Sequence, residues 1–209
     1  MSGILIVFEG IDGVGKSTQL ELLYYKLKTR GLEVCRTREP GGTPLGEAVR
    51  RILLDPAYKG MAPQSEVFLY VSARAQCVAE VIRPALQQGA VVLCDRFTDS
   101  TLAYQGYGRG LELQALRKVN ELATGGIIPD LTVLLDMPVE EALARVRRGG
   151  TLDRLEQETC DFYRAVRNGY LALAGQQPER YLVLPASLGK EDLAALIWSR
   201  VEVICRALQ

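Results

Sequence analysis

Gly10-Ile11-Asp12-Gly13-Val14-Gly15-Lys16-Ser17 matches the pattern G-x-x-x-x-G-K-[ST] at every fixed position. Its flanks suit the pattern. Ile4 to Phe8 is an apolar run bounded by glycine and reads as a buried strand, and Lys16 to Arg30 carries Leu20, Leu23, Tyr24 and Leu27 at helical spacing. A glycine-rich turn between a strand and a helix lets successive backbone N–H groups point at one phosphate, and the start of the helix adds its positive dipole end. Gly10, Gly13, Val14, Gly15, Lys16, Ser17 and Thr18 are therefore expected to hold a nucleoside triphosphate. Lys16 would reach the β- and γ-phosphates, and the Ser17 hydroxyl would ligate Mg²⁺.

Outward from this loop the chain alternates strand-like and helix-like segments with no low-complexity linker. Strands are expected at 33–37, 90–94, 131–135 and 181–184. Helices are expected at 44–54, 65–88 (interrupted by Pro84), 111–123, 139–147, 155–174 and 190–208. This order implies one α/β domain over 1–209, a parallel sheet of about five strands with helices on both faces, of the P-loop NTPase type.

Composition narrows the function classes. With 25 basic and 25 acidic residues the formal charge is zero, so no global field advertises nucleic-acid binding, and an anion site must be built locally. The chain contains no histidine, which removes Ser-His or Cys-His catalysis and any His-ligated zinc. Five cysteines, Cys35, Cys77, Cys94, Cys160 and Cys205, include no Cys-x-x-Cys pair and suit a reducing cytoplasm. No apolar run approaches the roughly 20 residues that span a bilayer, and the first residues lack the basic start of a signal peptide.

Two clusters lie where strands end, which is where open α/β sheets bind ligands, and a third lies on a helix. Asp95-Arg96-Phe97-Thr98-Asp99-Ser100 places Asp95 as a carboxylate for Mg²⁺ and Arg96 as a fork for a phosphate. Thr37-Arg38-Glu39-Pro40-Gly41-Gly42-Thr43 places Arg38 over the same crevice. Tyr70 and Arg74, four apart on a helix, project from one face and suit a base. No Asn-Lys-x-Asp motif of a GTPase is present.

Together with Ala103-Tyr104-Gln105-Gly106 and Leu152-Asp153-Arg154-Leu155-Glu156, these motifs occur in an order that resembles bacterial thymidylate kinase over essentially the whole chain. The resemblance implies transfer of the γ-phosphoryl of ATP to dTMP with Mg²⁺, by a homodimer. It implies that Arg38 and Arg96 clamp the acceptor phosphate, that Tyr70 stacks on thymine and that Arg74 addresses its edge. Ser100, Thr101 and Gln105 would contact the base, Tyr104 would lie against C2′, and Asp12 would sit near the 3′-hydroxyl and the metal. It also implies a cis Glu39-Pro40 bond. The variable loop positions Ile11 to Val14 contain no arginine, so charge for the migrating group is expected from a lid at about 145–154, carrying Arg145, Arg147, Arg148 and Arg154 around Gly149-Gly150. Relatives have an alternating Arg-x-Arg-x-Arg run where this chain reads Arg145-Val146-Arg147-Arg148. The alternatives are another nucleoside monophosphate kinase, a deoxynucleoside kinase with Glu9 as base, and a P-loop switch ATPase.

Overall fold

The computed structural model of the chain describes residues 3–148 and 150–206. Its five strands are β1 (Ile4–Glu9), β2 (Val34–Arg38), β3 (Val91–Asp95), β4 (Leu131–Asp136) and β5 (Tyr181–Pro185). They form one parallel sheet in the order β2-β3-β1-β4-β5. β1 is central and buried along its whole length, which explains its unbroken apolar sequence. Its side chains alternate between faces. Ile4, Ile6 and Phe8 join the larger apolar cluster, whereas Leu5 and Val7 pack with Cys77, Val78, Ile82, Val92, Cys94 and Phe97 in a second one.

The helices are α1 (Lys16–Thr29), α2 (Pro44–Leu54), α3 (Pro63–Cys77), α4 (Arg83–Gln87), α5 (Thr98–Thr101), α6 (Leu113–Thr124), α7 (Val139–Arg147), α8 (Cys160–Gln176) and α9 (Lys190–Cys205). Local chemistry sets several of their ends. Thr43 accepts from the Gly46 N–H at 3.0 Å just before Pro44, and Thr159 accepts from the Phe162 N–H at 3.1 Å. Gly125, in the left-handed region, closes α6.

The expected helix over 65–88 does not break at Pro84. A π turn, Val78–Ile82, absorbs the missing N–H upstream, and the chain runs on helically as α4. The helix expected from 155 begins instead at Cys160, because the Asp153 carboxylate accepts from the Leu155 and Glu156 N–H groups, both at 2.9 Å, and holds a turn there. α9 runs to Cys205 rather than 208, and residues 207–208 lie outside the described residues, as does Gly149 of the expected lid. One element has no counterpart in the sequence expectations. α5 continues through a π turn, Leu102–Gly108, and carries Ser100 to Gln105 on a helix.

β1 has β3 on one side and β4 on the other, so the sheet's order reverses there and a crevice opens at its carboxyl end. The loop after β2 borders this crevice, and α2 presses directly on it. A Cβ built on Gly46 falls 2.5 Å from the Gly41 carbonyl oxygen and 2.9 Å from its carbon. Both partners are backbone, so no rotamer change relieves the contact. Gly46→Ala is expected to lower stability in urea unfolding by about 1–3 kcal/mol, and to raise the KM for the second substrate by displacing the loop that carries Glu39 and Pro40.

Candidate active site

The glycine-rich loop leaves β1 through Gly10 (φ 133°), Gly13 (φ 83°) and Gly15 (φ 93°), conformations that side chains rarely adopt. Gly15 immediately precedes α1, so the free N–H groups of the helix's first turn face the loop's concavity. Lys16 is buried, and its Nζ donates to the carbonyls of Gly10 (3.0 Å) and Ile11 (2.8 Å), which arches it back over the loop. Burial, reinforced by Arg96, lowers its ammonium to about 8. Ser17 Oγ donates to Asp95 Oδ2 at 2.9 Å, bringing together the two expected metal ligands. These are hard oxygen donors opening on the same cavity, a set suited to Mg²⁺, which takes most of its ligands from phosphate and water. Among the described residues no group of three or more His, Cys, Asp or Glu side chains forms a metal cage. Val14 has a buried side chain in the main core, so only its backbone serves the loop.

Two cavities meet at the carboxyl end of β1. One is lined by Gly13, Gly15, Lys16, Ser17, Thr18, Arg38 and Asp95. The other is lined by Pro40, Leu54, Tyr70, Ser100, Thr101, Tyr104, Gln105, Asp153 and Leu155. Asp12, Glu39, Arg50 and Arg96 line both. A two-substrate transfer needs this geometry, with a triphosphate on the loop, a second molecule in the cleft, and charge concentrated where they touch.

Arg96 occupies the junction. It is the non-glycine residue with positive φ (72°) among those described, a strained conformation of the kind that persists where surroundings over-determine it. Its guanidinium donates to Asp12 Oδ1 (2.5 Å), Gly10 O (3.0 Å), Tyr104 Oη and Tyr170 Oη (both 3.2 Å). It also lies 5.1 Å from the centre of the Tyr104 ring. Tyr104 Oη in turn donates to Asp12 Oδ2 at 3.1 Å. Burial pushes the Asp12 carboxyl up, but Arg96 and Lys16 outweigh it and hold Asp12 at about 2.

Glu9, the base of the deoxynucleoside-kinase alternative, instead anchors this arrangement. It is fully buried and accepts from the backbone N–H of Phe97 (2.8 Å) and Ser100 (3.2 Å), and from the Ser100 and Tyr170 hydroxyls (both 2.7 Å). It thereby fixes the start of α5 immediately after Arg96, and with every acceptor direction occupied it is not placed as a free base.

Several expected site residues sit elsewhere. Arg38 lines the phosphate-loop cavity but not the cleft, and its Nη2 donates to both carboxylate oxygens of Glu47, at 3.1 and 3.0 Å. The cleft's second arginine is Arg50, anchored by a 3.0 Å bond from Nη1 to the Pro40 carbonyl. Arg50 lies on the helix after the Pro-Gly-Gly turn, and only the tertiary turn of α2 shows that it faces inward.

Arg74 does not line the cleft beside Tyr70. It is 1% exposed and donates to Glu39 Oε2 (2.6 Å), Thr101 Oγ1 (2.8 Å), Asn120 Oδ1 (2.6 Å) and Phe97 O (2.9 Å). It therefore holds the cleft wall from behind. Among the described residues its partner Glu39 keeps the other oxygen, Oε1, unpaired, and burial, opposed by Arg74, raises the acid to about 7. The bond from Glu39 to Pro40 is cis, as the sequence resemblance implies.

Arg154 is likewise no lid arginine. It is buried, with Nε donating to Leu53 O at 2.7 Å and Nη2 paired with Glu66 at 2.6 Å. Arg145, Arg147 and Arg148 remain exposed at the end of α7. That helix rides on the phosphate loop, since a Cβ on Gly13 falls 2.5 Å from the Ala142 carbonyl.

Comparison with known proteins agrees with this geometry. The family model described as thymidylate kinase matches residues 8–197. A thymidylate kinase of Desulforudis audaxviator is 56% identical over 208 residues, covering 98% of this chain and 92% of that protein. One from Pseudomonas entomophila is 53% identical over 196 residues, covering 94% and 92%. The crystal structure of thymidylate kinase from Ehrlichia chaffeensis superposes with a TM-score of 0.78 at 33% identity, covering 97% of this chain and 99% of that one. With a phosphate loop, a second cleft and a shared arginine in place, and relatives matched along nearly their whole length, this chain belongs to the thymidylate kinase family.

Proposed function

We propose that the chain transfers the γ-phosphoryl of ATP to dTMP, giving ADP and dTDP. The observation that carries this reading is the pair of adjoining cavities with Asp12, Glu39, Arg50 and Arg96 common to both. A switch ATPase needs a site for a water molecule, whereas this cleft has an aromatic wall, two arginines and a row of hydroxyl and amide groups, which suits a nucleotide.

The acceptor phosphate is largely a dianion near neutral pH, so one of its oxygens attacks the γ-phosphorus directly while the bond to the β-phosphate oxygen breaks. No general base is needed. Arg96 and Arg50 hold the acceptor phosphate and neutralise it, Lys16 and the loop N–H groups hold the donor, and the exposed Arg145, Arg147 and Arg148 close over the migrating group. Mg²⁺, held by Ser17 and Asp95, would supply charge neutralisation on the donor phosphates. In this reading Tyr70 and Tyr104, which line the cleft, flank base and sugar, and Asp12, which accepts from Tyr104, addresses the 3′-hydroxyl.

The proposal extends to a homodimer. α2, α3 and α6 pack side by side and expose Leu45, Ile52, Phe68 (64%) and Leu122 (84%), apolar side chains that a second copy would cover. Light scattering should read about twice the 23.0 kDa chain mass. No helix among the described residues is long and apolar enough to cross a membrane, and the five cysteines are free thiols, which supports a cytoplasmic setting.

Two measurements test the chemistry. ADP release should require dTMP, with GMP, thymidine and no acceptor at least about 100-fold slower. Equal turnover without acceptor would overturn the transferase reading, and faster turnover with thymidine would favour a nucleoside kinase. The pH profile tests Lys16. Its folded value near 8 lies below that of a free lysine, so the amine is charged below that pH and neutral above it. The kcat/KM for ATP should fall as pH rises through about 8, and Lys16→Arg, which keeps its charge, should remove that alkaline limb.

A further inference from the structure

Glu66 stands on α3, wholly buried, outside both cavities. Three side chains converge on its carboxylate. Gln105 Nε2 donates to Oε1 at 2.8 Å, and Arg109 donates through Nε and Nη2, each at 3.2 Å. Arg154 Nη2 lies 2.6 Å from Oε2 in an ion pair too bent for a hydrogen bond. Burial raises this acid, but the bonds from Arg109 and Gln105 outweigh it and keep Glu66 below the ordinary carboxylate range, hence anionic.

Of these partners only Gln105 also lines the acceptor cleft. A carboxylate has no proton to give, so the Gln105 amide must turn its NH₂ towards Glu66. Its carbonyl Oε1 accepts from no group among the described residues, yet it is not a sealed-off orphan. That oxygen is the end left for the cleft.

We propose that Glu66 is a positioning residue that sets the polarity of the Gln105 amide, so that the cleft offers an acceptor oxygen and selects a base with a ring N–H between two carbonyls over one with a 4-amino group. The inference rests on the dTMP reading above. Thymine and uracil carry the required N3–H. Cytosine presents a lone pair there, which faces the amide oxygen without a proton between them and leaves both acceptors unpaired.

Glu66 also ties Arg154 and Arg109 beneath the cleft, so its loss has a structural effect as well. That effect falls on every acceptor alike, whereas amide polarity changes the ratio between acceptors. In Glu66→Gln the two amides face each other and either orientation of Gln105 is allowed. The dTMP:dCMP ratio of kcat/KM should fall by at least about tenfold, chiefly through KM for dTMP, with dUMP following dTMP. Adding Gln105→Glu to that variant returns an acceptor oxygen to the cleft and should restore the ratio. A proportional loss with all three acceptors, ratio unmoved, overturns the proposal.

Should Glu66→Gln not fold, the wild-type chain labelled with ¹⁵N-glutamine gives the answer. The Gln105 side-chain amide, assigned by its absence in Gln105→Met, should resist hydrogen exchange before any acceptor is added. Free exchange overturns the proposal. Wild-type protein that does not use dTMP would refute the underlying function, whereas normal dTMP turnover with an unmoved ratio refutes only the role of Glu66.

Discussion

One guanidinium holds the two halves of this site in register. Arg96 spans from the phosphate loop, through Gly10 and Asp12, to the acceptor wall, through Tyr104 and Tyr170. It does so from a left-handed backbone position that no local preference favours. Glu9 beneath it clamps the first turn of α5, and β1 supplies both Glu9 and the loop, so the strand at the centre of the sheet connects donor and acceptor directly. In the proposed transfer a cation here would neutralise both polyanions where the two cavities meet, and being held beforehand it need not reorganise as charge moves.

Behind the cleft lies a second layer of charge, centred on Arg74 and Glu66, neither of which lines the two cavities. Arg74 binds Glu39, Thr101, Asn120 and the Phe97 carbonyl, and Glu66 binds Gln105, Arg109 and Arg154. Buried ion pairs contribute little net stability, because desolvation offsets most of the attraction. Their value here is orientation. Each fixes a neutral side chain, Thr101 or Gln105, that lines the cleft, and a misplacement of about 1 Å in such groups is costly to catalysis.

The fold was legible because its signals are local. The unbroken apolar run of β1, the proline and threonine that start α2, and the glycines of the phosphate loop are each explained by residues within a few positions. Where the structure departs from the sequence expectations, a competing geometry had decided. Pro84 does not end its helix because a widened turn upstream supplies the geometry, and α8 starts late because Asp153 organises a competing turn. α5 and its π turn, an unpromising run containing two glycines, owe their helical form to packing against α8 and to the cap from Glu9.

The amino-acid sequence by itself determined the parallel α/β sheet, the phosphate loop and the Ser17–Asp95 pair, since each rests on a strand, a strand end or a motif whose spacing carries its geometry, and its family resemblance pointed to Arg96, Tyr70, Tyr104 and Gln105, which line the cleft. Tertiary structure alone decided which charges are free to meet a ligand. Arg38 is paired with Glu47, Arg74 and Arg154 are sealed behind the cleft, and Arg50 faces inward, although all four read alike as basic residues near motifs. The reason is physical. An arginine's long side chain takes its direction from whichever carboxylate or carbonyl lies within reach, and those partners, from 9 positions away for Arg38–Glu47 to 101 for Arg154–Leu53, are brought together only when the chain folds.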